Sequence, residues 1–176
     1  MNPREAWEKC VAFHGHECGG LTIGWQAARY AAQLLDLSFS GDEEVVCIAE
    51  NDACGVDAIQ VLLGCSVGKG NLLFRLRGKQ AFSFYNRKTG KAVRLVLKPA
   101  PAGMSREESF QLYQSRQPEE MFEVKPVPGL VPERARLFQN VTCARCGEQL
   151  SEQMARLQGG EILCLDCWSQ YDRFGL

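Results

Sequence analysis

The sequence predicts an α+β fold, in which helices pack on a mostly antiparallel sheet and a small zinc-ribbon-like module follows. Helical patterns fill much of the first third of the chain, and apolar residues then alternate with polar and basic ones over 72–98. Two Cys-x2-Cys pairs lie near the end of the chain. Because residues 125–132 contain three prolines and one glycine, we place the core domain at 1–125, a linker at 126–132 and the cysteine module at 133–176.

The composition is that of an ordinary globular protein, with 45% hydrophobic and 23% charged residues. No apolar run reaches the ~18 residues that a membrane span requires, and the amino-terminal segment lacks the apolar stretch of a signal peptide. We therefore expect a cytoplasmic protein that has no membrane partner. In a reducing compartment, nine cysteines indicate metal binding or catalysis and not disulfides.

The first third of the chain contains helical segments on both sides of one strand. PREAWEKCVAFH, residues 3–14, starts with a proline that suits the first turn of a helix, and Gly15 interrupts the pattern. Thr22 is the predicted N-cap of the next helix, whose apolar residues recur at helical spacing. EVVCIAEN, residues 44–51, is a β-branched strand, and VDAIQVLLGC, residues 56–65, is a buried helix.

In the middle of the chain, apolar residues alternate with polar and basic ones at every second position. This pattern predicts an antiparallel meander over 72–98 with one apolar and one basic face. A capping box of Ser105 and Glu108 predicts a helix that follows, and a second short helix is expected around Glu119 to Val124.

Charge is unevenly distributed, because residues 69–106 carry ten basic and no acidic residues. Such a segment is an anion-binding face, a nucleic-acid face, or a surface that meets the acidic segment of another copy of the chain. A solvated strand face would carry the same charges, so the sequence leaves these interpretations open.

The carboxy-terminal cysteines predict a structural zinc site. The pairs Cys143/Cys146 and Cys164/Cys167 are separated by 17 residues, which allows a short hairpin to bring four thiolates together in a closed tetrahedral site. Because the module is too small to hold a core of its own, metal binding would supply its folding free energy. A redox pair is the alternative. We expect the module to serve docking or dimerisation.

The two histidines of the chain, His14 and His16, are separated by one residue and followed by Cys18. Alternate residues of an extended segment point in the same direction, so these three side chains could converge on one ion. Cys18 also precedes a helix, whose free N–H groups and dipole stabilise a thiolate.

Cys54 repeats this arrangement, because it lies between a strand and a helix and follows Asp52. We therefore predict a second metal site, for zinc, iron or nickel, with His14, His16, Cys18 and Cys54 as candidate ligands. The alternative is that the histidines are hydrogen-bonded loop residues and the cysteines small apolar core residues.

Three segments, FHGHECGGLTIGWQAA, ENDACGVDAIQVLLGCSVGKGNL and FSFYNRKTGKAVRL, closely resemble the FmdE family of formylmethanofuran dehydrogenase components, over roughly residues 8 to 98. The resemblance implies an α+β core, a homodimer and a cavity lined by cysteine and histidine. Some members of the family also carry a C-terminal four-cysteine zinc finger. The family name implies association with a molybdenum or tungsten enzyme that reduces carbon dioxide to a formyl group.

The resemblance also extends to individual positions of this chain. The matching residues, which it implies to be ligands or cavity lining, are His14, His16, Cys18, Asn51, Asp52, Cys54, Cys65, Lys69 and Asn71. Tyr85 and Lys88 lie in a matching strand and turn.

Three functions are compatible with these observations. We predict a metal-binding accessory protein of a molybdenum or tungsten formylmethanofuran dehydrogenase-type redox enzyme. The alternative is a stand-alone enzyme, in which Cys18 or Cys54 is the nucleophile or metal ligand and His14 or His16 the acid/base. A zinc-ribbon nucleic-acid binder is the third, but a net charge of −1 argues against it.

Overall fold

The structure is a computed structural model that describes residues 2–175. Two compact units divide between Ala135 and Arg136, and each has a buried apolar cluster of its own. Within residues 2–175 no helix combines the length and the hydropathy that a bilayer span requires.

Three helices open the core unit: α1 (Pro3–His14), α2 (Gly19–Leu35) and α3 (Gly55–Leu63). Helix α1 ends at Gly15, whose positive φ of 92° suits a residue without a Cβ atom. Helix α2 begins three residues before the predicted cap at Thr22, because the side chain of Cys18 accepts the N–H of Leu21. The Thr22 hydroxyl instead donates to the Cys18 carbonyl at 3.1 Å.

The sheet of the core unit has five strands: β1 (Val45–Ala49), β2 (Leu72–Phe74), β3 (Ala81–Asn86), β4 (Ala92–Leu97) and β5 (Phe122–Lys125). Their order is β2-β1-β3-β4-β5, and every pairing except β1–β2 is antiparallel. The predicted fold class, helices on a mostly antiparallel sheet, is therefore confirmed.

The predicted meander is wrong for its first strand. Strand β2 pairs in parallel with β1, so that Leu72 lies beside Cys47, and β1 separates β2 from β3. The reason is the helix between them, since α3 carries the chain back along the sheet and the next strand runs in the direction of β1.

The segment after the sheet meander folds as α4 (Arg106–Ser115) and α5 (Pro118–Met121). Ser105 and Glu108 form the predicted capping box. The second short helix ends earlier than expected, because Phe122 is buried at the start of β5, which pairs with β4.

Helices α2 and α3 cover one face of the sheet. Their apolar residues pack against the same-face row of Cys47, Ala49, Phe82, Phe84 and Leu95. The two helices approach closely at Gly24, where an added Cβ atom would overlap the backbone of Gly55. This contact brings the amino-terminal ends of α2 and α3 together, with Cys18 at one end and Cys54 at the other.

The carboxy-terminal unit consists of two hairpins, β6 (Asn140–Thr142) with β7 (Gln149–Ser151) and β8 (Arg156–Gln158) with β9 (Glu161–Leu163). Its buried cluster is small: Cys143, Leu163 and Cys164, with Leu150 and Trp168 packed against them.

Candidate metal centres

The first candidate centre is the segment between α1 and α2. Helix α1 ends with His14, Gly15 turns the chain, and Cys18 has the extended backbone of an N-cap, with φ −158° and ψ 161°. Glu17 accepts the indole N–H of Trp7 at 3.0 Å, which fixes the segment against α1. Helix geometry on both sides therefore determines where the three candidate ligands lie.

The side chains of this segment converge. The Sγ atom of Cys18 lies 3.8 Å from Nε2 of His14, and the imidazole rings of His14 and His16 have centroids 4.5 Å apart. One donor atom from each of the three residues lies within 4.8 Å of the others. Tetrahedral zinc with nitrogen and sulfur ligands needs donor separations of about 3.3 to 3.8 Å, so only a small closure by the exposed His16 is required.

Asp57 orients His14. Its Oδ2 lies 2.7 Å from Nδ1 of His14, and its Oδ1 accepts the amide of Gln60 at 3.2 Å. A carboxylate only accepts hydrogen bonds, so Nδ1 of His14 carries a proton, and Nε2 faces Cys18. A carboxylate behind a histidine is the usual second partner of a metal-binding imidazole.

Cys54 lies beside this group and outside it. An added Cβ atom on Gly20 would lie 3.5 Å from the sulfur of Cys54 and 3.9 Å from that of Cys18, so the two thiols are neighbours. Burial, followed by the hydrogen bond with Cys18, raises the pKa of Cys54. Cys54 is thus a thiol adjacent to a three-donor site, and its surroundings favour the protonated form.

The three-donor site opens into a cavity of about 930 Å³. His16, Cys18 and Cys54 line one side, and α4 contributes Phe110 and Tyr113 on the other. Helix α4 is held on α2 by two contacts, from Gln114 to Thr22 and from Gln26 to the carbonyls of Tyr113 and Arg116. An organic molecule of moderate size could therefore reach the thiols and the imidazole.

A second cavity, of about 400 Å³, lies on another side of Cys54. His14, Asp52 and Asp57 line it, together with apolar residues such as Val67 and Phe74. The predicted residue Asp52 is thus close to the site, although its cavity is the smaller one.

The other residues implied by the resemblance line neither of these cavities. Asn51 bonds the Lys79 carbonyl and the N–H of Ala53, which shapes the loop that carries Cys54. The amide of Asn71 donates to three backbone carbonyls, among them that of Val45, at 2.9 Å. These two asparagines organise loops.

The same is true of three other predicted residues, Cys65, Lys69 and Tyr85, which lie away from both cavities. Burial raises the pKa of Cys65 to about 12, and its thiol faces the Val45 carbonyl at 3.7 Å. Lys69 donates to the Ser40 carbonyl at 2.8 Å. Tyr85 lines a separate cavity of about 270 Å³.

Two parts of the site were not found from the sequence. Asp57 is 43 residues away from His14 in the chain; the signal was an acidic residue in the first turn of the helix after Cys54. The cavity wall of α4 comes from a helix with no buried residue, and its sequence pattern gave no sign of a site.

The second candidate centre is in the carboxy-terminal unit, where all four predicted ligands converge. One donor atom from each of Cys143, Cys146, Cys164 and Cys167 lies within 4.8 Å of the others, and the Cys146 and Cys164 sulfurs are 3.9 Å apart. Hydrogen bonds from the N–H groups of Cys146 and Cys164 lower the pKa of Cys143 to about 6. Four soft ligands without an open position fit a structural zinc ion.

Two family models match the chain. The first, described as FmdE, molybdenum formylmethanofuran dehydrogenase operon, matches residues 13–143. The second, described as prokaryotic dksA/traR C4-type zinc finger, matches residues 136–173. The four-cysteine cluster thus lies in a zinc-finger sequence as well as in a zinc-compatible geometry.

The chain is similar to one curated protein and to a solved structure from another organism. A probable S-adenosyl-L-methionine-binding protein of Archaeoglobus fulgidus is 28% identical over 191 residues, which cover 90% of this chain and 51% of the relative. The chain thus spans about half the length of that protein. A crystal structure of a tungsten formylmethanofuran dehydrogenase FmdE-like protein from Syntrophus aciditrophicus has a TM-score of 0.73 at 28% identity, covering 95% of this chain and 92% of the other.

Proposed function

The chain belongs to the FmdE family, and from this membership we propose that it is a metal-binding accessory protein of a molybdenum or tungsten formylmethanofuran dehydrogenase-type redox enzyme. The observation that carries the proposal is the convergence of His14, His16 and Cys18, whose donor atoms lie within 4.8 Å of one another. The family description and the name of the structural relative supply the class of partner.

The donor set supports a site that holds a metal and can release it. Two imidazoles and one thiolate suit zinc, iron or nickel, and three protein ligands leave a fourth position for a ligand from the cavity. His16 is exposed, so its bond to the metal can open without disturbing the core. A site of this kind is suited to metal delivery, whereas the closed four-cysteine site is suited to permanent retention.

Metal content per chain, measured by elemental analysis of the full-length protein, tests the site. We expect two metal ions in the unaltered protein and one in a His16→Ala/Cys18→Ser variant. Cys47→Ala is the matched control, because Cys47 is fully buried in β1 and belongs to neither candidate ligand set. Equal metal content in all three proteins would reject the core site.

The accessory role is tested separately, by size-exclusion chromatography with a purified dehydrogenase-type enzyme of the same cell. We expect the two proteins to elute together, and we expect metal transfer to fail with the Cys18→Ser variant although co-elution persists. Independent elution would reject the accessory role and leave the metal site intact.

A second candidate function follows from the cavity of about 930 Å³. The Archaeoglobus relative is named for binding S-adenosyl-L-methionine, and the cavity here presents aromatic rings, Phe110 and Tyr113, together with the carboxylates of Glu17 and Glu107. Aromatic faces and carboxylates favour a sulfonium cation. In this alternative the chain is a stand-alone enzyme that brings such a ligand to Cys18 or Cys54.

Titration calorimetry with S-adenosyl-L-methionine decides whether this second function holds. We expect binding that weakens about tenfold in Phe110→Ala, through loss of one aromatic contact. S-adenosyl-L-homocysteine, which lacks the sulfonium charge, should bind more weakly. No binding heat from either compound would reject this function without affecting the metal site.

A further inference from the structure

The sheet face opposite α2 and α3 carries a cationic cavity of about 360 Å³. Arg94 lies in register between Ser83 and Lys125, and alternate residues of a strand point to opposite faces, so this row lies away from the apolar row of Leu95. The residues that line the cavity are Glu50, Arg75, Arg77, Lys79, Arg94, Lys125, Pro126 and Pro128.

The buried carboxylate of Glu50 organises the cations at the base of the cavity. Arg94 donates to both of its oxygens, at 2.7 and 2.8 Å, and Arg75 donates to one at 3.1 Å. The Glu50 side chain is only 2% exposed, so these guanidinium groups are held in fixed positions. Two guanidinium charges on one carboxylate leave one positive charge in excess.

The remaining cations add to this excess. The guanidinium of Arg77 donates to the carbonyl of its neighbour Leu76, and both Arg77 and Lys79 are exposed. Lys125 pairs with Glu123 at 3.0 Å, but the two side chains are 42% and 57% exposed, so water screens the pair. Five cations and one carboxylate give the lining a net charge of +4.

One donor at this site is unused. Among residues 2–175, the Nε atom of Arg75 is buried without a hydrogen-bond partner. Neutralising Glu50 alone would need one arginine. The excess of fixed positive charge is balanced if an anion binds to the cations of this cavity.

We propose that this cavity binds the phosphate groups of a small molecule that carries at least two phosphates. Paired guanidinium groups recognise phosphate oxygens through two parallel hydrogen bonds, and lysines add charge around them. The lining has a net charge of +4, or +3 when Glu123 beside Lys125 is included, and this matches a diphosphate or triphosphate better than a single carboxylate. The two prolines of the segment after β5 bound the cavity, which favours a compact ligand over the extended backbone of a nucleic acid.

Titration calorimetry of the full-length protein with pyrophosphate and with ADP tests the proposal, and a single-stranded RNA 12-mer provides the comparison. We expect pyrophosphate and ADP to bind, and Arg77→Ala and Lys79→Ala each to weaken binding about tenfold, through loss of one charged contact. Lys9→Ala, which removes an exposed positive charge from α1, should bind as the unaltered protein does. Arg77 and Lys79 are exposed, so thermal unfolding of their variants should be unchanged.

Three results would overturn the proposal. The first is no binding of either phosphate compound, and the second is an equal loss of affinity in Lys9→Ala. The third is RNA binding that is tighter than pyrophosphate binding and is lost in the same variants, since this would assign the surface to a nucleic acid. Because none of these variants touches the three-donor metal site, metal content should stay the same in all of them.

Discussion

At the scale of single residues, Asp57 orients one of the candidate ligands of the proposed core metal site. Its contact of 2.7 Å with Nδ1 fixes the His14 ring, and the ring then presents Nε2 to the thiol of Cys18. His16 is exposed and is free to adjust its ring. The site therefore has one rigid imidazole and one adaptable imidazole.

Asp57→Asn should lower metal affinity by about 10- to 100-fold, because the histidine loses its orienting carboxylate. Competition with a coloured chelator measures the change. Asp52→Asn is the matched control, since it removes an equal charge that is exposed and nearby. The same loss in both variants would contradict orientation as the cause and indicate a general charge effect.

The carboxyl group of Glu50 makes the free energy of unfolding depend on pH. The guanidinium of Arg94, with that of Arg75, lowers the pKa of Glu50 to about 2, below its value of about 4.3 in an unfolded chain. The contribution of Glu50 to the free energy of unfolding is on the order of 3 kcal/mol in total. It is complete above pH ~4.3 and is lost as the pH falls through ~2.

Urea unfolding at pH 7 and pH 3 measures this contribution. The free energy of unfolding should fall less between these pH values in Glu50→Gln than in the unaltered protein, although the variant is less stable at pH 7 because Arg75 and Arg94 lose their charged partner. Glu8→Gln, which removes an exposed carboxylate, should keep the original pH dependence. If Glu50→Gln keeps it as well, the carboxylate is not the acid-sensitive group.

At the scale of elements, the sequence predicted what depends on near neighbours. The boundaries of α1, the capping box at Ser105 and the strands β3 and β4 follow from local patterns, and the structure confirms them. The position of β2 beside β1 could not be predicted from local patterns. Both β1 and β3 could pair with β2 through backbone hydrogen bonds, and the packing of α3 determines that β2 pairs with β1. The same distinction applies to the site, where HGHEC was visible and Asp57 was not.

The crossing of α2 and α3 depends on two glycines. Gly24→Ala should destabilise the core unit by about 1 to 3 kcal/mol, because the new methyl group overlaps the Gly55 backbone and the helices must separate. Urea unfolding measures the change, and metal affinity should fall with it, since Cys18 lies at the start of α2. Gly68→Ala is the control, because no atom lies within 4 Å of the added Cβ. Equal free energies of unfolding in the two variants would show that the contact between α2 and α3 can accept a methyl group at position 24.

At the scale of the whole molecule, the two units draw their stability from different sources. The core unit buries a large apolar cluster between helices and sheet, whereas the carboxy-terminal unit buries only Cys143, Leu163 and Cys164 among its described residues. A cluster of that size cannot offset the entropy of ordering about 40 residues. We therefore expect the second unit to need a metal ion in order to fold.

Removal of metal with a strong chelator should unfold the carboxy-terminal unit alone. Hydrogen exchange followed by mass spectrometry should show loss of protection over residues 140–163, with the protection of β1, β3 and β4 unchanged. Restoring zinc should restore the protection. Protection over 140–163 that survives complete metal removal would contradict a metal-dependent unit.

The spacing of the core ligands also has a consequence for protein synthesis. His14, His16 and Cys18 lie within five consecutive residues, so a growing polypeptide exposes the three donors together. Asp57 is added 43 residues after His14, which takes about 2 to 9 seconds at ordinary rates of translation. We therefore expect the emerging segment to be able to bind an ion before its orienting carboxylate emerges from the ribosome. A synthetic peptide of residues 12–20 should accordingly bind zinc, more weakly than the folded chain, and the folding of α3 against α1 would then tighten an ion that is already bound.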